Sequence, residues 1–336
     1  MEQAFNKPYP STECKCTKMK ETEQIIKSLK TKNSYGYNEI STKILKISCP
    51  FISSSLNYIC NKILFWGLFP DRLKYTVIKS LHKNGDRCEV SNYRPVSILT
   101  SFSKIFEMVM QTRILKHLTE YNILSNEQYG FRIGLKTENA IYKLITEILN
   151  ATNNKLLVRG IFCDLEKVFN CVDHDILSSK LKDLALYHYY LDKRHFRTAV
   201  HNDRDNSNEV SSWAKVRHGV WQGFVLGPLL FFLYINDLPK IIHSFIHSAP
   251  IIFADYISIL FAHSNLTDFN KNIHIVFATL NKWFRANQLS LNFNKTNYIH
   301  FTTKRNMSVN FKIDFNNNLI TNSSYTKFLG VTMDNT

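Results

Sequence analysis

Apolar residues recur with helical spacing from Glu21 onward, after about twenty polar, irregular positions. Ile25, Ile26 and Leu29 share one face of a short amphipathic helix, and the run Asn33-Ser34-Tyr35-Gly36 predicts the turn that stops it. Ile40, Ile44, Leu45 and Ile47 predict a second helix closed by Pro50. Phe51 to Leu64 predicts a third, with Gly67 past its end. Tyr75 to Leu81 reads as a strand entering the polar turn Lys83-Asn84-Gly85-Asp86. Two longer helices follow, Ser101 to Tyr121 and Thr137 to Asn150, and then a strand at Leu156 to Phe162. Residues 176–191 read as helix, Ser211 to Val220 as strand and turn, and Gly227 to Asp237 as a buried apolar helix. Pro250 to Phe261 reads as two strands around a tight turn at Ala254-Asp255. A helix over Asp268 to Asn287 and late strands at Tyr298 to Phe301 and Phe311 to Ile320, broken at Asn316-Asn317-Asn318, complete the pattern. Helices interleaved with a small, mostly antiparallel sheet define an α+β chain.

With 336 residues and 44% apolar content, the chain has material for about two domains with a substantial core. Lys plus Arg number 42 and Asp plus Glu 27, giving 42 − 27 = +15, a balance that favours a polyanionic partner such as nucleic acid. Seven cysteines at irregular spacing, with no paired CxxC knuckles and no HExxH, read as reduced thiols rather than disulfides or zinc ligands. The twelve histidines lack ligand spacing. The N-terminal residues carry no secretory signal. The longest apolar stretch, near Phe224 to Ile235, is shorter than the ~20 residues a membrane span needs. An intracellular protein, in nucleus or cytoplasm, is the expectation.

Two hydrophobic strands each deliver an aspartate. IFCDLEKVFN (161–170) carries Asp164, and IIFADYISILF (251–261) carries Asp255. A charge at the end of a buried strand is either solvated or bound to a cation. For a single aspartate the solvated reading suffices. Two of them, with the glycine-rich RHGVWQGFVLGP (217–228) between, shift the balance, because glycines let a backbone approach a ligand closely. Residues 71–117 also hold Tyr75, Tyr93 and Phe106 among nine Lys/Arg and four Asp/Glu, a composition suited to phosphate contact and base stacking, or to an ordinary solvated helix face.

The segments NYRPVSIL (92–99), EQYGFRIGLKTENA (127–140), FCDLEKVF (162–169), RHGVWQGFVLGPLLFFLYINDLP (217–239), FADY (253–256), LSLNFNKTNYIHF (289–301) and YTKFLGVTMD (325–334) occur in this order. In this the chain resembles the reverse transcriptase of jockey-like non-LTR retrotransposons, from about Lys32 to its end. The resemblance implies a right-hand polymerase: a lead-in over 1–30, fingers and N-terminal helices over 31–150, and a palm over 151–336 with the primer grip at its C-terminal end. It implies RNA-templated DNA synthesis from deoxynucleoside triphosphates on a DNA primer, with two Mg²⁺ ions. Asp164, Asp255 and the Leu165 carbonyl would hold the metal. Lys83 and Arg94 would grip the triphosphate, a task suited to fixed positive charge. Phe169 would exclude a 2′-hydroxyl, Gln222 and Gly223 would back the incoming base pair, and Lys295 would protonate pyrophosphate. Phe328-Leu329-Gly330 would be the primer grip. Without the family, Phe169 is explained by core packing, and the three cations by solvation.

The departures from the family cluster near the chemistry. Tyr256 stands where a second aspartate follows the first, and Asn170 where an acid closes the first motif. Trp221 replaces a proline before Gln222, and Phe224 a serine after Gly223. The stretch between Ile176 and Val216 is shortened, and the end at Thr336 leaves little room for a thumb. A phenol cannot offset repulsion between two divalent cations, and larger side chains in a loop that must hug a base pair cost about 1–3 kcal/mol. The expectation is a truncated, degenerate polymerase with impaired catalysis. The alternative is a non-catalytic nucleic-acid-binding remnant of a mobile element.

Overall fold

The computed structural model describes residues 15–31, 36–132, 134–166, 168–181, 190–202, 207–221, 223–243, 248–301, 313–315 and 318–335. The expectations for the first fourteen lead-in residues, for Asn33-Ser34-Tyr35, for residues 182–189 of the 176–191 helix, for Gln222 and for Asn316-Asn317 therefore lie outside the described residues. The chain divides into two interleaved compact units, the first from Met1–Ile123 and Val172–Phe231, the second from Leu124–Cys171 and Phe232–Thr336.

The first unit opens with α1 (Met19–Ser28), α2 (Thr42–Ile47) and α3 (Cys49–Trp66). Gly67 ends α3 at φ 70°, its amide donating to the Ile63 carbonyl, so a left-handed residue closes the helix as the sequence predicts. Strands β1 (Tyr75–His82) and β2 (Tyr93–Ile98) form an antiparallel hairpin. Helix α4 (Ser101–Glu120) starts at Thr100, whose hydroxyl accepts from the Ser103 amide. After α6 (His174–Lys180), β4 (His195–Asn202), β5 (Ser207–Val210) and β6 (Ala214–Lys215) complete a sheet of order β2-β1-β4-β5, with β6 also paired to β4. Helix α7 (Gly227–Tyr234) crosses the boundary at Phe231.

In the second unit, α5 (Thr137–Asn153) precedes β3 (Leu157–Asp164). Then come α8 (Leu238–His243), β7 (Ser248–Phe253), β8 (Tyr256–His263), α9 (Leu266–Ala286), β9 (Asn297–Phe301), β10 (Ile313–Phe315) and β11 (Asn318–Asn322). The sheet order is β10-β11-β9-β3-β8-β7, with β3 central and buried along nearly its whole length. A separate hairpin, β12 (Tyr325–Phe328) and β13 (Val331–Asp334), follows. Two faces of β3 bury two apolar sets. Helix α9 supplies Phe269, Ile273, Val276, Phe277, Leu280 and Phe284 at helical spacing. The buried Arg159 points to this face, its guanidinium 4.9 Å from the Phe269 ring and hydrogen-bonded to Asn270 at 2.8 Å. On the other face Ala140 and Leu144 of α5 pack with Phe162, Ile251, Leu260, Ile299, Phe328 and Met333. Asp164, an even number of residues from Phe162, lies on this second face.

The mostly antiparallel sheet expected from the sequence is corrected: both larger sheets are mixed. β1 runs parallel to β4, and β11 parallel to β9. Each parallel pair joins strands separated by a long crossover, which antiparallel hairpins do not need. Alternation of apolar residues marks a strand but not the direction of its neighbour, so the pattern left this open. The apolar pattern does not mark β2, β4, β5, β12 or β13; β2 buries only Ser97, and exposed residues dominate β13.

Candidate functional site

Asp164 ends β3 opposite Tyr256, the first residue of β8, and directly opposed residues of an antiparallel pair project to the same face. Only the turn Ala254-Asp255 separates Tyr256 from Phe253, its partner across the hairpin. Asp255 is thus one residue from the position facing Asp164, and the β3–β8 register brings both aspartates to one end of the sheet. Ala254 takes φ 56°, the sign a two-residue hairpin turn demands of its first residue. A non-glycine residue held there costs about 1–2 kcal/mol, so neighbouring structure must hold the turn.

That structure is the segment Glu127–Gly130. The Ile252 amide donates to the Glu127 carbonyl at 2.8 Å, and the Tyr129 amide to the Ile252 carbonyl at 2.8 Å. Gln128 forms a parallel bridge to Ile252, and the Gln128 side chain accepts from the Gly130 amide at 3.1 Å. Gly130 then lies so close to the turn that a Cβ there would stand 2.4 Å from the Ala254 nitrogen. Nothing in the local pattern of EQYGFR marks this glycine for that task.

A second clamp grips the end of β3. The Glu166 amide donates to the Ser290 carbonyl at 3.0 Å, and the Asn292 amide to the Asp164 carbonyl at 2.8 Å. Neither bond uses the Leu165 carbonyl. The Lys295 and Thr296 amides fold back onto the Asn292 carbonyl. Lys295 Nζ thereby reaches Asp164 Oδ2 at 3.0 Å. This bond, with the nearby Asp164, Tyr256 and Asp255 oxygens, raises the Lys295 ammonium above its usual range. Lys295 keeps 60% of its side chain exposed, whereas Asp164 keeps 9%. Burial, then Asp164, pushes the adjacent Cys163 thiol up to about 12.

Asp164, Tyr256, Lys295, Asn297, Thr326 and Lys327 are among the residues lining a cavity of about 290 Å³. The last two come from the β12–β13 hairpin, whose turn residues Leu329 and Gly330 have φ 49° and 92°. Positive values at both are the signature of a primed two-residue turn. Phe328 is buried in the core cluster at its base, and Thr326 and Lys327, which lie in the motif YTKFLGVTMD but carry no assigned role there, line the cavity. Phe169 lies half-buried in the short turn Val168–Asn170 beyond Asp164.

In the first unit the β1–β2 hairpin gathers Lys83 and Arg94. Leu81 opposes Arg94, and the Lys83 amide donates to the Asn92 carbonyl at 2.9 Å, so the two cations are diagonal neighbours at the exposed tip. The glycine loop is pinned along its length. The Gly219 amide donates to the Val172 carbonyl at 2.7 Å, and His174 Nε2 meets the Gly219 carbonyl at 2.9 Å. Gly223, at φ 114°, approaches β2 so closely that a Cβ would lie 2.4 Å from the Ser97 carbonyl oxygen. Phe224 is buried with its ring 4.7 Å from the Arg194 guanidinium, and Trp221 packs on Phe196 at 4.8 Å.

For a divalent metal, the donors at the β3 end have the right chemistry, since hard cations take carboxylate and carbonyl oxygens. They are few. Among the described residues no group of three or more His, Cys, Asp or Glu is placed to hold a metal ion. One oxygen of Asp164 already receives Lys295, and a phenol stands opposite. Among the described residues, no helix is long and apolar enough to cross a membrane.

These two units have the fold of a nucleic-acid polymerase. An apo telomerase from Candida tropicalis, truncated from its C-terminal domain, is similar over 90% of this chain and 61% of its own, with TM-score 0.53 and 12% identity, a likeness of fold. Residues 81–333 match the family of reverse transcriptases (RNA-dependent DNA polymerases), and the chain belongs to that family. It is 32% identical over 94% of its length to a probable RNA-directed DNA polymerase from transposon BS of Drosophila melanogaster, of which it covers 36%. It is 25% identical over 94% of its length to the RNA-directed DNA polymerase from mobile element jockey of the same fly, of which it covers 35%. The chain thus spans about a third of the length of the curated relatives it matches.

Proposed function

We propose that this chain is the polymerase portion of a non-LTR retrotransposon protein that binds an RNA template, a DNA primer and deoxynucleoside triphosphates, with nucleotidyl transfer impaired. The fingers reading covers residues 31–150, with Lys83 and Arg94 on the triphosphate. The palm reading covers 151–336. The observation that carries the proposal is the convergence of Asp164 and Asp255 at one end of a sheet beside Lys295. Asp164, Asp255 and the Leu165 carbonyl would hold Mg²⁺, which supplies charge stabilisation to phosphate oxygens during nucleotidyl transfer. Lys295, held on Asp164 and exposed on its outer side, is positioned to give a proton to departing pyrophosphate. Phe169 limits the sugar edge, and Gln222 and Gly223 back the base pair.

The impairment follows from charge. Asp164 is already paired with the Lys295 ammonium, Lys327 lines the same cavity, and Tyr256 adds no negative charge. A metal must compete with Lys295 for Asp164, and lost charge stabilisation in such a site costs several kcal/mol. Primer extension on an RNA template, with and without Mg²⁺, tests the reading. The wild type should extend weakly and only with Mg²⁺, Asp164→Ala should abolish extension, and Tyr256→Asp should raise it. Extension indifferent to Asp164→Ala would remove Asp164 from the metal site. No extension by either wild type or Tyr256→Asp, with RNA bound tightly, would favour the second reading, a non-catalytic nucleic-acid-binding remnant, for which the Tyr256–Asp164 pairing speaks.

A further inference from the structure

Glu107 lies in the middle of α4 with no surface exposed, and nothing in its sequence context marks it. A buried carboxylate is costly unless its lone pairs are met by donors. Here they are. Its Oε2 accepts from the Val225 amide at 2.8 Å and the Leu226 amide at 3.4 Å, and its Oε1 accepts from the Tyr190 hydroxyl at 2.7 Å. The counter-ion is Arg194, 1% exposed, with its guanidinium nitrogen 3.6 Å from Oε1. Burial pushes the Glu107 carboxyl up, and Arg194, Tyr190 and the two amides oppose that rise. All four partners are donors or cations, the environment of an anion.

Arg194 is itself enclosed by aromatic rings, Tyr190 at 3.9 Å, Phe224 at 4.7 Å and Phe69 at 5.3 Å. Phe224 follows Gly223 directly, so the loop contributes both the amides that Glu107 holds and the ring that covers its counter-ion. Gln111, one helical turn on, donates to the Val225 carbonyl at 3.3 Å. A loop pressed against Ser97 at Gly223 and tied to α4 at Val225 and Leu226 has little freedom between those points.

We propose that Glu107 is a positioning residue for the glycine loop: its buried carboxylate fixes the Val225 and Leu226 amides, and through them Gly223, while Phe224 keeps the Arg194 counter-ion dry. The consequence for nucleotide selection rests on the reading, given above, of Gln222 and Gly223 as the backing of the incoming base pair.

Two measurements on the full chain test it. Hydrogen exchange compares wild type, Glu107→Gln, Phe224→Ser and the double variant. Loss of charge-assisted hydrogen bonds should speed exchange over 223–227 by about tenfold or more, with the β3 and β8 amides unchanged. The double variant should add little, because both changes disable one device. Unchanged exchange over 223–227, an equal rise throughout α4 and β1, or fully additive effects would overturn the clamp. The second measurement is preference for a complementary over a mismatched deoxynucleoside triphosphate in a template–primer complex. Glu107→Gln should lose about tenfold of that preference with template–primer affinity unchanged, a split that general destabilisation does not produce. Unchanged preference would overturn the positioning role. Absence of any nucleotide preference in the wild type would overturn the polymerase reading, and hydrogen exchange would still decide the clamp.

Discussion

Replacing Gly130 by alanine probes how the Asp255 turn is held. Gly130 does not need a positive φ, so the perturbation is one methyl group against backbone. That methyl carbon would lie 2.4 Å from the Ala254 nitrogen, 3.2 Å from the Ala254 Cα and 3.2 Å from the Phe253 carbonyl carbon. Ordinary contact begins about 1 Å further out, and neither backbone can rotate aside. Overpacking of this kind costs about 1–3 kcal/mol. Separation of the two segments also weakens the Tyr129–Ile252 hydrogen bond, worth about 0.5–1.5 kcal/mol. The sum is a loss of about 1.5–4.5 kcal/mol, read by urea denaturation with the wild-type m-value retained. Exchange at the Tyr129 and Ile252 amides should accelerate with it. A loss below about 0.5 kcal/mol, the range of an ordinary surface change, would show that Gly130 does not brace the turn, and the account of how Ala254 keeps its left-handed conformation would fall.

Alkylation of the folded chain should label Cys16 and Cys88, which are exposed, and spare Cys163 and Cys60, whose thiols are pushed up to about 12 chiefly by burial; prompt modification of Cys163 would contradict the packing of β3. Burial lowers the His174 and His300 imidazoles below the ordinary value of 6.5. Between that value and the lowered one the unfolded chain binds more protons, so stability should fall as pH drops below about 6.5, and a flat urea midpoint from pH 7.5 to 5.5 would refute this. Affinity for an RNA–DNA hybrid should fall steeply with salt, given the charge of +15 and release of about one counterion per neutralised phosphate. A flat response would show that the charge is dispersed rather than gathered on a binding surface. Thr100→Ala removes the cap of α4 and should cost about 1 kcal/mol in thermal unfolding; no change would mean that the Ser103 amide finds another acceptor.

The sequence by itself determined the elements whose apolar residues repeat. Helices α3, α4, α5 and α9 and the β7–β8 hairpin all follow from local spacing, and so does the delivery of Asp164 and Asp255 to strand ends. Ordered motifs identified the family because their residues are contiguous. Tertiary structure decided what spacing does not encode. Strands such as β2, in which only Ser97 is buried, show no buried periodicity, and the direction of β4 beside β1 is a choice between partners distant along the chain. The ion pair of Lys295 with Asp164 joins residues 131 positions apart, as 295 − 164, through a clamp of backbone bonds. Glu107 is one more acid in α4 until the fold sets it beneath the Val225 amide. The physical reason is common to these cases. A side chain's periodicity reports the solvent it avoids, whereas its partner is fixed only when long-range packing has closed and a buried charge must find its donors.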